Sequence, residues 1–173
     1  GGKEVIGRDQ HAEPWRVTVV DTGLNTMTGG RIKRVQKYIG NETFMMTYGD
    51  GVCDVNIAER VKFHKQHGKL ATLTAVVQEQ QKGVLDIGQQ KTAYEIRPRD
   101  WSSDVCSSDL FDTISGDDTI FEQTPLRELA AKGQLMSYVH RGFWQCMDTE
   151  REKSMLEKMW ASGCAPWEVW NQQ

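Results

Sequence analysis

Phe44-Met45-Met46-Thr47-Tyr48-Gly49-Asp50-Gly51-Val52 reads as an apolar strand running into a tight turn, with a lone carboxylate at the strand's C-terminal end. In open α/β sheets that end is where ligands bind. The glycines flanking Asp50 let a ligand approach the backbone closely. A carboxylate so placed suits a divalent cation held against phosphates. Gly-Asp-Gly also ends many strands for local reasons, because Asp hydrogen-bonds its own turn.

Working outward, Val17–Val20 is a β-branched run ending at Asp21-Thr22-Gly23, which predicts a strand and a turn. Gly29-Gly30 opens a helix over Arg31–Ile39, with Ile32, Val35 and Ile39 on one face and cations on the other. Asp54 or Asn56 caps a helix over Ile57–His67 that Gly68 stops. Leu70–Val77, Gly83–Ile87, Ala93–Ile96 and Met136–His140 read as strands, Thr124–Ala131 as a helix ended by Gly133, and Glu150–Trp160 as a helix capped by Thr149. Strands alternating with helices predict an α/β domain with a mostly parallel sheet and flanking helices, running through 1–173 with a helical tail from 149.

Composition narrows the function. The 173-residue chain can bury a core, and its formal net charge of -3 argues against nucleic acid as the main partner. No apolar run approaches the roughly 18 residues of a membrane span. The four cysteines (Cys53, Cys106, Cys146, Cys164) are scattered, the usage of a reduced, cytoplasmic protein.

Asp100–Leu110, DWSSDVCSSDL, has neither helical nor strand period and reads as a polar loop. The string resembles a one-frame translation of a sequencing adaptor, so the expectation is that it stands over genuine sequence. Reading the source DNA across these codons tests this, and an adaptor-free stretch there would refute it.

Three clusters carry the chemistry. Met27-Thr28-Gly29-Gly30-Arg31, after Val20-Asp21-Thr22-Gly23, places glycines at a helix N-terminus beside hydroxyls and cations, which suits an anion or a subunit contact. From spacing alone, an ordinary glycine turn into a solvated basic helix is the favoured reading. Asp50 is the second cluster. In the third, Gly142–Thr149, Asp148 precedes a helix start and is either a cap or a metal ligand. His64 and His67 lie one helical turn apart, but a solvated helix end near the C-terminal dipole is the simpler reading. The tryptophans Trp160, Trp167 and Trp170 read as packing for the tail or a subunit contact.

In their order, Glu13-Pro14-Trp15, VDTG, MTGGRIKRV, TYGDGV, FHKQHGK, TLTA, GVLDI, GQLM, GFWQCMDT and APWEVW span nearly the whole chain and resemble the bacterial glucose-1-phosphate cytidylyltransferase family of sugar-nucleotide pyrophosphorylases. The resemblance implies a Rossmann-like α/β fold, CTP and glucose 1-phosphate as substrates, CDP-glucose and pyrophosphate as products, and magnesium (Mg2+) as cofactor. It implies that Asp50 and Asp148 hold the metal, that Gly49 approaches the nucleotide, and that Thr26 and Arg31 contact substrate. Arg97, in Tyr94-Glu95-Ile96-Arg97-Pro98, stands where the family has a lysine, and keeps charge without ammonium geometry.

The family's G-x-G-T-R phosphate loop and K-P-K-P-M segment have no counterpart in the sequence, and Asp100–Leu110 falls where an Asn-Gly-Gly sugar segment belongs. The expectation is therefore an N-terminally truncated piece of a nucleotidyltransferase domain, inactive as it stands, from a homo-oligomeric enzyme. The alternatives are a pyrophosphorylase for another nucleotide or sugar, or a non-catalytic nucleotide-sugar binding or oligomerisation domain.

Overall fold

The computed structural model describes residues 3–5, 15–76 and 101–171. The strands expected at Gly83–Ile87 and Ala93–Ile96, and Arg97 with them, lie outside the described residues. In chain order the elements are β1 (Lys3–Val5), β2 (Val17–Val19), α1 (Thr28–Ile39), β3 (Phe44–Met46), β4 (Gly51–Cys53), α2 (Ile57–His67), β5 (Ala71–Val76), β6 (Trp101–Cys106), α3 (Thr124–Ala131), β7 (Leu135–His140), β8 (Trp144–Cys146) and α4 (Glu150–Ala161).

The expected α/β architecture with flanking helices is present, and its main sheet is mixed. Among the described residues four strands lie in the order β3-β6-β5-β7. β5 and β7 run parallel, with Ala71 opposite Leu135 and Val76 opposite His140, whereas β6 is antiparallel to both neighbours. Strand direction is set by pairing partners, and hydrophobic periodicity carries no trace of it. Two antiparallel ribbons, β1 with β2 and β4 with β8, accompany the sheet.

The segment expected to be a polar loop supplies the central strand β6. Val105 and Cys106 are fully buried and Asp104 nearly so, in register with Thr72, Ala71 and Leu73 of β5. A strand covered on both faces shows no alternation of apolar and polar residues, which is why the segment has no legible period. After it, a 3-10 turn over Ser108–Thr113 carries Leu110 and Phe111 into the core, where Phe111 stacks on Phe44 at 5.1 Å. Ile114, Phe121, Leu126, Leu129 and Leu135 complete this core against the sheet.

Local signals fix the helices. Asn56, and not Asp54, caps α2, its Oδ1 accepting the Glu59 N–H at 3.0 Å. Gly68 ends the same helix at φ 62°, a left-handed conformation that glycine adopts without strain. A reciprocal capping box between Thr149 and Glu152 starts α4. The end of α2 is not solvated as expected: His64 is 3% exposed and bonds Thr72 Oγ1 at 2.9 Å and Ser107 Oγ at 3.2 Å. His67 Nε2 reaches the same Thr72 hydroxyl at 2.8 Å. Burial lowers both imidazole pKa values; His64 is a core hydrogen-bonding group, and the half-buried His67 sits beside it at the edge of the core.

Candidate active site

The β4–β8 ribbon brings Asp50 and Asp148 together. Gly51 pairs with Cys146, and one residue further along the Met147 N–H donates to the Asp50 carbonyl at 2.7 Å. Asp50 and Asp148 therefore leave the same end of one short ribbon, although almost a hundred residues separate them in the chain. Both are exposed. Thr149, next along, takes the helix cap through its hydroxyl, so Asp148 is not the cap that its position allowed. Its Oδ2 instead accepts the Cys146 thiol at 3.5 Å, and burial together with this carboxylate raises the Cys146 pKa.

A second pair of side chains moors the ribbon to the sheet. His140, at the end of β7, places Nε2 2.9 Å from Asp54 Oδ1, just beyond β4. The Asp54 N–H donates to the Phe143 carbonyl at 3.2 Å, closing the turn into β8. Gly142 makes that approach possible, because a Cβ there would lie 2.3 Å from Asp54 Oδ1. Sequence reasoning missed this mooring: Asp54 was weighed as a helix cap and His140 as a strand end. Only their proximity, which no spacing rule encodes, would have found it.

The Met27–Arg31 segment forms the other arm. Its glycines serve close packing. A Cβ on Gly29 would meet the Thr119 carbonyl at 2.7 Å, and one on Gly30 would meet Asp117 Cα at 2.6 Å. The helix N-terminus is also spoken for in part, since Met27 N–H donates to Asp117 O and Gly29 N–H to Thr119 O, each at 2.8 Å. Thr26 is 8% exposed, beside Gly30. The Arg31 guanidinium bonds Thr22 Oγ1 at 2.7 Å and the Leu24 carbonyl at 3.1 Å. Arg34 grips Asp117 through two N–H groups, at 2.9 and 2.5 Å, which raises the Arg34 pKa and lowers that of Asp117. Exposed on both sides, that pair contributes little stability.

No family model matches the chain. It is, however, 46% identical over 169 residues to the glucose-1-phosphate cytidylyltransferase of Salmonella typhimurium, a match covering 93% of this chain. The chain belongs to the sugar nucleotidyltransferase family. It spans 66% of the length of that Salmonella protein. The catalytic subunit beta of mannose-1-phosphate guanylyltransferase from Xenopus tropicalis is 30% identical over 132 residues, covering 69% of this chain and 36% of its own length. The fold agrees with HddC from Yersinia pseudotuberculosis complexed with GMP-PN, at a TM-score of 0.60 and 12% identity, covering 87% of this chain and 70% of the other.

Of the residues singled out for a sugar nucleotidyltransferase site, Asp50, Gly49 and Asp148 lie at the ribbon end, whereas Thr26 and Arg31 lie at the start of α1, where Arg31 is engaged with Thr22 and Leu24. The donor set is of the kind a divalent metal takes. Two carboxylates offer hard oxygen ligands, and among the described residues no group of three or more His, Cys, Asp and Glu is placed to hold a metal ion by itself. A cation that keeps several waters and takes phosphate oxygens suits such an open pair. Among the described residues no helix is long and apolar enough to cross a membrane.

Proposed function

We propose that this chain is part of a glucose-1-phosphate cytidylyltransferase, which condenses CTP with glucose 1-phosphate to CDP-glucose and pyrophosphate. The observation that carries the reading is the convergence of Asp50 and Asp148 on one ribbon end, in a chain 46% identical to such an enzyme. A sugar-phosphate oxygen attacks the α-phosphorus of the nucleotide, and both partners are anionic. Bound magnesium would supply charge neutralisation between them.

In this reading Asp50 and Asp148 hold the ion, and Gly49, with no side chain, lets the nucleotide approach the backbone. Arg31 and Thr26 contact substrate from the second arm, with the Arg31 fork suited to phosphate oxygens. Arg97 supplies a further cation to the phosphates. The four cysteines suit a reducing cytoplasm. Exposed Trp160 and Trp170, their rings 6.4 Å apart, suit a contact between copies of the chain in a homo-oligomer.

Titrating Mn2+ as a magnesium probe with CTP present, by electron paramagnetic resonance, tests the metal pair. Asp50→Asn and Asp148→Asn are each expected to weaken binding at least about tenfold, the loss of one charged ligand. Binding equal to that of the unaltered chain would refute the assignment. Pyrophosphate release by a full-length version supplied with glucose 1-phosphate and CTP, compared with the other nucleoside triphosphates, tests the substrate. A preference for another nucleotide would favour a different pyrophosphorylase.

A further inference from the structure

Glu122 lies two residues before α3, in a stretch to which the proposed chemistry gives no part, and its carboxylate spans the two arms of the site. Oε2 accepts the Thr28 hydroxyl at 2.6 Å, at the first residue of α1. Oε1 accepts the Tyr48 hydroxyl, two residues before Asp50. Thr28 Oγ1 also accepts the Phe121 N–H at 2.9 Å, so its single proton is committed to Glu122.

We infer that Glu122 is a positioning residue that ties the Thr26–Arg31 arm to Tyr48-Gly49-Asp50 and fixes their relative placement. The tie follows from geometry alone. Its consequence for nucleotide and metal rests on the proposed nucleotidyltransferase reading.

The chemistry calls for a carboxylate. Two hydroxyl donors arrive from different elements, and each needs an acceptor oxygen. Glutamine offers only one, because its amide nitrogen donates. Aspartate is one methylene shorter and reaches only one arm from the same backbone. Hydrogen bonds to a charged acceptor are also the stronger kind. Residues 47–50 are exposed, so their alignment to the packed start of α1 depends on such a tie more than the sheet does.

Hydrogen–deuterium exchange tests the tie on the intact chain. Glu122→Ala, which removes both acceptor oxygens, is expected to speed exchange about tenfold in both 26–31 and 47–50, the loss of one charge-assisted bond to each, with the amides of β5 unchanged. Tyr48→Phe should loosen 47–50 alone, and Thr28→Val should loosen 26–31 alone. With CTP present, Glu122→Ala should also weaken Mn2+ binding at least about threefold. Unchanged exchange in the two arms, or an equal rise throughout β5, would overturn the tie. If the arms loosen as expected while even the unaltered chain binds no Mn2+, the tie stands and the metal reading of Asp50 and Asp148 falls.

Discussion

Asp104 gives the chain a pH-dependent stability that one substitution should abolish. Its carboxyl is buried in β6, beside the buried guanidinium of Arg60. Burial lifts its pKa from 3.8 to about 7, against the opposing pull of Arg60 and a backbone hydrogen bond from Thr74. The bulge in β5 between Leu73 and Ala75 takes Thr74 out of register with β6, where it makes that bond, while Thr74 stays paired with Tyr138 of β7.

Between pH 3.8 and about 7 the folded chain holds a proton that the unfolded chain has released. Stability from this group is therefore complete below pH 3.8, falls as pH rises through that window, and levels off above about 7. At about 1.4 kcal/mol for each pH unit, the loss reaches about 4 kcal/mol. Asp104→Asn mimics the protonated carboxyl at every pH and keeps an acceptor for Thr74. The variant should match the parent to within about 1 kcal/mol at pH 4 and exceed it by about 4 kcal/mol at pH 8.

In a chain of this size that difference is a Tm about 8–16 °C higher at pH 8. Thermal unfolding followed by circular dichroism from pH 4 to 8 reads it directly. Curves for the two proteins that run parallel over the whole range would refute the reasoning, because they would leave Asp104 ionised alike in the folded and unfolded states.

Two further outcomes follow from packing and capping. Gly30→Ala gains about 1 kcal/mol of helix propensity but drives a methyl into the Asp117 backbone, so a net loss of about 1–2 kcal/mol is expected, and a raised Tm would contradict the close approach. Thr149→Ala removes the hydroxyl that accepts the Glu152 N–H, and should lower stability by about 1 kcal/mol in urea unfolding, with the midpoint moving at constant slope; an unmoved midpoint would show that the cap carries nothing.

What the sequence made legible had local causes. Asn56, Gly68, Pro125 and the Thr149–Glu152 box mark helix ends by their own chemistry, and the helices lie where these residues predict. The ribbons were hidden because three-residue strands such as Gly51–Cys53 and Trp144–Cys146 are too short to show a period. β6 was hidden for the opposite reason, being covered on both faces. His64 and His67 misled because the dipole rule describes an exposed helix end, whereas here Thr72 and Ser107 receive the imidazoles inside the fold. For the site, the family's motifs pointed to Asp50 and Asp148, but the Glu122 tie and the Asp54–His140 mooring join residues remote in sequence and carry no local mark.

The register that places Asp148 opposite the end of β4 also sets when the site can exist during synthesis. Asp50 is made first, and its partner follows only after β5, β6, α3 and β7 have been made. At about 5–20 residues per second, Asp50 waits roughly 5–20 s for Asp148. A nascent chain therefore carries the first carboxylate single through that interval, and the pair closes only once the strand that carries Asp148 has been made.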